Sequence, residues 1–522
     1  MALHLPDDLM HPSVFPHPAP DVGCIETHIS WVILAGEHAY KIKKPLNFGF
    51  LDFRTLAQRR AACEEELRIN RRTAPQLYEA LVRIGGNPVA LDDDSQPVAE
   101  YAVRMRRFPQ SALLANVLEQ HDNPLQLMDA LADHIAGFHA HAEMADSTHS
   151  WGSPGSVLQP AEENVRQLRD HVGDAGVLED VNAVGQWMQA TFARLKTVFA
   201  ARQCNGHVRE CHGDLHLGNI IVLDNQPLLF DALEFNASLR WIDVMSDIAF
   251  LVMDLQARGR AGESWHLLNA WLEHTGDYDG LQVLPWYLCY RAMVRAKVAA
   301  LRLPQLPLEA QAAALDECRR YAALARRYTT TRDVALFFTH GISGSGKTTH
   351  SQPLADHFGL VRIRADVERK RLFGLSATAS SQGIAGGIYH DQANRQTQER
   401  LEHLARLVLA AGYPVLVDAT FIRRAPRDRM KAVATAMQVP WFVLAFTAIP
   451  DVMRERARQR SALAQDASEA DANVVDLQLA ALEPLTHEEQ ARAITVATDT
   501  PPDWSSLFPV FLTKTRLRSI SP

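Results

Sequence analysis

The sequence predicts a two-domain chain: a two-lobed α+β module over residues 1–328, then an α/β module with a parallel sheet over 329–522. Three observations carry this. Strand patterning dominates up to about Leu113 and helical patterning from Leu114 to Arg327. The Ala-, Leu- and Arg-rich helical run Glu309–Arg327 stops at Tyr328-Thr-Thr-Thr-Arg332, and Val334–Thr339 reads as a buried strand. A glycine-rich loop follows that strand and precedes a helix.

The 522 residues leave room for two to four domains. At 47% hydrophobic and 22% charged, the chain reads as an ordinary globular protein. Cys24, Cys63, Cys204, Cys211, Cys289 and Cys318 form no C-x-x-C pair. That argues against a zinc site or disulfide framework and for a reducing cytoplasm. No basic stretch followed by an apolar run opens the chain, and no apolar run reaches the ~18 residues of a membrane span. A cytoplasmic protein without a membrane partner is expected. The net charge of −8 is uneven: +3 from Thr329 onward (23 Lys+Arg, 20 Asp+Glu) and −11 before it. An acidic first module would attract a cationic substrate, although a solvated acidic surface accounts for the same charge.

In the small lobe, strands are expected at Trp31–Leu34, His38–Lys43, Leu81–Ile84 and Val98–Met105, interrupted by a helix over Thr55–Arg72. Gly36-Glu37 reads as a hairpin turn. In the helical lobe, Asn219–Leu223 and Pro227–Phe230 are two short strands around Asp224-Asn225. Just before them stands His212-Gly-Asp214-Leu-His-Leu-Gly-Asn219. An Asp followed five residues later by Asn is the spacing of a kinase catalytic loop. There the carboxylate orients or deprotonates the acceptor hydroxyl and the Asn ligates Mg²⁺. Asp231 follows the second strand, where the main Mg²⁺-binding carboxylate belongs. Asp243 and Asp247, one helical turn apart, either orient this loop or favour a helix start.

These residues resemble the aminoglycoside phosphotransferase family over about residues 25–325. The resemblance implies a bilobal protein-kinase-like fold that uses ATP. It also implies a nucleotide-binding lysine on an early strand, Lys41 ahead of Lys43 on the same face. The lysine's carboxylate partner would come from the next helix, Glu66 ahead of Glu64 and Glu65. No glycine-rich loop covers the phosphates in this lobe; the hairpin offers Gly36 alone.

In the second module, Gly341-Ile-Ser-Gly-Ser-Gly-Lys347-Thr348 matches G-x-x-x-x-G-K-[ST] at every fixed position. Gly341, Gly344 and Gly346 let the loop wrap, so that it and the flanking Ser343, Ser345 and Thr349 cradle ATP phosphates. Lys347 reaches the β/γ-phosphates and the Thr348 hydroxyl ligates Mg²⁺; the helix N-terminus adds a favourable dipole. Asp418 ends the apolar strand Val415–Val417, where a metal-facing carboxylate belongs. Asp366, with Arg369 three residues on, suits hydroxyl phosphorylation: the Asp accepts the proton and the Arg binds an anionic group. A helix cap is the plainer account of Asp366. Arg454, Arg456, Arg458 and Arg460 lie on one helix, with Arg456 and Arg460 sharing a face. They suit a lid that neutralises the transferring phosphoryl, or a solvated basic face.

This half resembles the P-loop kinase-like ATPases grouped with zeta toxins, polynucleotide kinases and gluconate kinases. The likeness rests on the phosphate loop, Asp366/Arg369, Asp418-Ala-Thr-Phe421 and Asp466-Ala-Ser-Glu-Ala-Asp471. The whole chain resembles the bacterial bifunctional aminoglycoside phosphotransferase/ATP-binding protein group. An ATP- and Mg²⁺-dependent phosphotransferase with two nucleotide sites is expected, acting on a small-molecule hydroxyl that the motifs leave open, as they do the oligomeric state. The alternatives are an ATP-binding regulator in which one module switches the other, and a polynucleotide-kinase-like activity. The +3 balance gives nucleic acid little electrostatic footprint.

Overall fold

The first hundred or so positions build a five-stranded antiparallel sheet, with β1 (Val22–Glu26), β2 (Ser30–Ala35), β3 (His38–Lys43), β4 (Tyr78–Gly85) and β5 (Val98–Arg106) in the order β1-β2-β3-β5-β4. Helix α1 (Leu56–Asn70) starts at a capping box: Gln58 N donates to the Thr55 hydroxyl, and Thr55 N donates to the Gln58 amide oxygen. The sheet is buried on both faces. Cys63 and Leu67 of α1 pack with Ala39, Val103 and Met105 on one side, and Leu9, Phe15 and Ala19 pack with Ile33, Tyr40 and Ile42 on the other. The coordinates are a computed structural model describing residues 4–517, apart from 48–50, 87, 121–122, 147–148, 382–383, 385–386, 464–466 and 470–471.

Helices α2 (Leu114–Gln120), α3 (Pro124–His141), α4 (Pro154–His171) and α5 (Ala175–Cys204) follow. Strands β6 (Val208–Glu210) and β9 (Trp241–Asp243) pair, and between them β7 (Ile220–Leu223) and β8 (Gln226–Leu229) form a hairpin. Then come α6 (Val244–Ala257), α7 (Ala261–Thr275), α8 (Leu284–Arg302) and α9 (Leu308–Tyr328).

The C-terminal part alternates strands and helices: β10 (Leu336–His340), α10 (Lys347–Phe358), β11 (Val361–Arg364), α11 (Ala365–Leu372), α12 (Asp391–Ala410), β12 (Val415–Asp418), α13 (Arg424–Ala436), β13 (Trp441–Thr447), α14 (Pro450–Leu463), α15 (Ala472–Ala480), α16 (His487–Arg492), β14 (Ala493–Ala497) and α17 (Trp504–Thr515). All five strands are parallel, in the order β11-β12-β10-β13-β14. Strand order reverses beside β10, so the crevice beyond its carboxyl end is the expected ligand position of such a sheet. Fully buried strands explain why Leu336–Phe338 and Val415–Val417 read as unbroken apolar runs.

Two compact units result. One comprises residues 1–130, 137–157 and 199–251; the other comprises 131–136, 158–198 and 252–522. Among the described residues, no helix is long and apolar enough to cross a membrane.

The structure departs from the expected strands at one functional point. Strand β1 precedes β2, so Gly36-Glu37 joins β2 to β3. Gly36 is needed there: its φ is +58°, and a Cβ would lie 2.3 Å from the Pro18 carbonyl oxygen. In kinase lobes the phosphate-covering loop precedes the lysine strand by one hairpin. Here that position is the β1–β2 turn, Thr27-His28-Ile29, which has no glycine.

Candidate active sites

In the first unit, both candidate lysines converge on one carboxylate. Lys41 Nζ lies 2.7 Å from Glu66 Oε1 and also pairs with Asp231. Lys43 Nζ lies 2.5 Å from Glu66 Oε2 and pairs with Glu234. Strand alternation puts Lys41 and Lys43 on one face, and α1 brings Glu66 beneath them. Glu64 and Glu65 turn elsewhere, to Arg60 and to Arg68 and Arg240. Burial opposes ionisation of Glu66, but the two ammoniums outweigh it and hold the carboxyl at about 2. Burial likewise pushes Lys41 down, yet Asp231 and Glu66 carry it well above its ordinary value. Glu234 goes the other way, raised by burial against the pull of Lys43.

Asp231 adopts φ +60°, a left-handed conformation that Asp tolerates and that is enriched at functional turns. Its N–H donates to the Tyr78 hydroxyl (3.0 Å), and Ala232 N–H donates to Asn70 Oδ1 (2.8 Å). The Asp214–Asn219 loop is fastened to this turn. Phe230 N donates to Asn219 O, Leu233 N to His212 O, and His212 Nε2 to Phe230 O at 2.9 Å. Burial pushes the His212 imidazole down, which favours this neutral, single-donor form. Asn219 Nδ2 donates to the Asp214 carbonyl and carboxylate, both at 2.9 Å. Asp247 accepts from His212 N (3.1 Å) and Gly213 N (2.9 Å), so of the two carboxylates it is the one on the loop. Asp243 accepts from Met245 N at the start of α6 and takes the Arg202 guanidinium through both oxygens.

In the second unit, the Gly341–Thr348 loop leads from β10 into α10. Gly344 and Gly346 both have φ +80°, and a Cβ on Gly344 would lie 2.4 Å from the Met453 carbonyl oxygen. Lys347 Nζ donates to Ile342 O at 2.8 Å, and Gln478 accepts from Ser343 N at 2.7 Å. Ser345 Oγ and Asp418 Oδ2 are buried without hydrogen-bond partners. A buried carboxylate oxygen left bare beside a glycine cradle fits a cation with bound phosphates. Thr348 is half-buried in the first turn of α10, and Thr349 is exposed.

Arg456 lies against this loop, donating to Gly344 O (3.3 Å) and to the Thr498 hydroxyl (3.0 Å). Arg460 is on α14, but its side chain lies outside the described residues, as do Asp466 and Asp471. Asp366 occupies the first turn of α11. The cap is Arg364, without a side-chain bond, so the capping account of Asp366 fails. Arg369 is already engaged: it donates to Asn394 Oδ1 (2.7 Å) and Ile388 O (3.2 Å) and lies 4.9 Å from the centre of the Tyr389 ring. Burial pushes its guanidinium below the ordinary value.

Comparison with known proteins agrees with this geometry. Residues 50–284 match the phosphotransferase enzyme family, and 336–485 match an AAA domain. Uncharacterized proteins of Mycobacterium tuberculosis and Mycobacterium bovis are each 32% identical over 459 residues, 87% of this chain and 89% of theirs. The chain belongs to their family. This chain joins a kinase-like phosphotransferase module to a P-loop kinase-like module, and both modules support a phosphotransferase activity. Solved structures overlap more loosely. A sugar kinase from Janibacter is 22% identical, covering 35% of this chain and 95% of its own, with a TM-score of 0.27. An ADP-bound aminoglycoside phosphotransferase is 12% identical, covering 59% and 95%, with a TM-score of 0.34.

Reading the sequence missed Glu234, Tyr78, Asn70, Gln478 and Thr498. Glu234 stood in view as Asp231-Ala-Leu-Glu234. Tyr78, Asn70 and Gln478 accept from backbone N–H groups distant in sequence, and the Thr498 hydroxyl meets Arg456 from 42 residues away, links that no spacing reveals.

Proposed function

We propose that the protein is an ATP- and Mg²⁺-dependent phosphotransferase acting on small-molecule hydroxyls, with two nucleotide sites on modules spanning 1–328 and 329–522. The family matches at 50–284 and 336–485 fall on either side of that boundary. The observation that carries the reading is the cluster Lys41–Glu66–Asp231, with the turn around Asp231 tied to the Asp214–Asn219 loop by Phe230 N–H to Asn219 O, Leu233 N–H to His212 O and the His212 ring to Phe230 O.

In the first site, Glu66 holds Lys41 extended toward the nucleotide phosphates, while Asp231 and Asn219 offer oxygens to a metal. Asp214 orients the acceptor hydroxyl and takes its proton. In the second, the backbone N–H groups of 343–348 and Lys347 hold phosphates, with Thr348 and Asp418 on the metal side. Arg456 supplies positive charge at the loop. Asp366 receives the acceptor's proton, and Arg369 lines the acceptor side. Bound Mg²⁺ would neutralise phosphate charge in both. The absence of a membrane-length helix among the described residues and the free cysteines support a cytoplasmic setting.

The test is ATP turnover by the full chain against a panel of alcohols, sugars and amino alcohols, in the wild type, Asp231→Ala and Lys347→Ala. Each variant should lose one nucleotide site and the transfer that depends on it. Unchanged Mg²⁺-dependent nucleotide binding in both would refute the reading.

A further inference from the structure

Strand β11 is an edge of the parallel sheet, so one side of its backbone has no neighbouring strand. Helix α7 closes that side. It lies within the residues matched by the phosphotransferase family model, yet belongs to the same compact unit as β11. Buried Asn269 donates to Leu360 O (3.0 Å) and accepts from Arg362 N (2.8 Å), bonding the strand as a backbone would. His266 Nδ1 meets Asp356 of α10 at 2.9 Å.

One turn beyond Asn269, Glu273 gathers three arginines. Its carboxylate accepts from Arg362 Nη2 (2.8 Å) and Nε (3.1 Å) and from Arg364 Nη1 (3.3 Å), and its main-chain carbonyl accepts from Arg371. The Arg362 and Glu273 side chains are 8% and 11% exposed, so water screens the pair little. Burial opposes the Glu273 charge, but the arginines prevail and keep it ionised, below the ordinary carboxyl value. Arg362 does one thing more: its Nη1 donates to the Thr348 carbonyl at 3.2 Å. Glu273 therefore grips, through Arg362, the first turn of α10, and through Arg364 and Arg371 both ends of the segment carrying Asp366.

We propose that Glu273 is a positioning residue for the P-loop site, setting the distance between Thr348 on the metal side and Asp366 on the acceptor side. A phosphoryl-transfer site works by holding donor and acceptor in line, and this carboxylate is fastened to both supports. The proposal rests on the Gly341–Thr348 loop being a nucleotide site. It makes that site depend on a residue outside the AAA-matched segment 336–485.

The experiment uses the full chain carrying Asp231→Ala, so that remaining binding reports the P-loop. Affinity for a fluorescent ATP analogue is measured with and without Mg²⁺, in that background and with Glu273→Gln, Glu273→Asp or Lys347→Ala added. Because Glu273→Gln leaves buried arginines unpaired, a Glu273→Leu/Arg362→Met double variant is measured too; an apolar pair of similar volume in place of a buried ion pair tends to preserve folding. Supports of metal-facing groups typically contribute about 10–100-fold to metal affinity. The Mg²⁺-dependent gain in affinity should fall by about that factor in Glu273→Gln and in the double variant, and recover in part in Glu273→Asp. Affinity without Mg²⁺ should stay within about twofold, since the loop N–H groups and Lys347 still hold phosphates. An unchanged Mg²⁺ gain in the folded double variant would overturn the proposal, as would an equal loss with and without Mg²⁺, the mark of general packing. Should Lys347→Ala bind as well as its Asp231→Ala parent, the nucleotide reading itself falls, a result separate from failure at Glu273.

Discussion

Glu66→Gln removes one negative charge from beneath two buried ammoniums while keeping the side chain's size. The carboxyl sits at about 2, against an ordinary 4.5, and the side chain is fully buried. At about 1.4 kcal/mol per pH unit, that gap amounts to about 3 kcal/mol of stability. Loss of one partner from a buried ion pair, at about 3–5 kcal/mol, gives the same scale. The sign follows from the lowered carboxyl: its contribution is complete above pH 4.5 and is lost as the pH falls toward 2. The variant should thus be less stable than wild type at pH 7 by about 3 kcal/mol, and the difference should close on acidification. Urea unfolding should be followed by pulse-labelled hydrogen exchange in peptides from 38–43 and 56–70, because a chain of several modules does not unfold in one two-state step. A variant as stable as wild type at pH 7, or a difference that does not narrow below pH 4.5, would refute the argument.

Asp214→Asn should spare nucleotide binding and lower transfer at the first site by about 10²–10⁴-fold, the usual contribution of a general base; steady-state kinetics with the best acceptor checks it. Asp366→Asn should leave melting temperature and ATP affinity near normal and reduce transfer at the P-loop site by a similar factor of about 10²–10⁴. A lowered melting point with intact transfer would instead make Asp366 structural. The −11 balance of residues 1–328 favours a cationic acceptor, so kcat/KM at the first site should fall as salt shortens the Debye length toward ~8 Å. Salt-independent kcat/KM would remove the charge argument for a cationic acceptor.

Local motifs were legible because their geometry is set by adjacent residues. The Gly341–Thr348 loop stands between a strand and a helix as read, and Asn219 bonds the Asp214 carboxylate five residues before it. Strand β1 was not legible: three of its five residues are exposed, so Val22–Glu26 lacks a buried alternating face, and the hairpin before the lysine strand went unseen. The choice between Lys41 and Lys43 could not come from spacing, since two residues apart on a strand share a face. The structure gives both to Glu66 and distinguishes them by their second partners, Asp231 and Glu234. Arg369 read as an open anion hook because the sequence does not show that Asn394, 25 residues on, accepts its hydrogen bond. Glu273 and Arg362 lie 89 residues apart, beyond any periodic signal.

The amide of Asn269 on the rim of β11 also bears on solubility. A chain trimmed to begin at residue 329 would lose α7 and leave Leu360 O and Arg362 N–H bare along a strand whose Val361 and Ile363 are wholly apolar. Such a rim is a template for a strand from another molecule. The trimmed protein should therefore self-associate into higher-order species, while one that retains residues from Ala261 onward keeps its rim sealed.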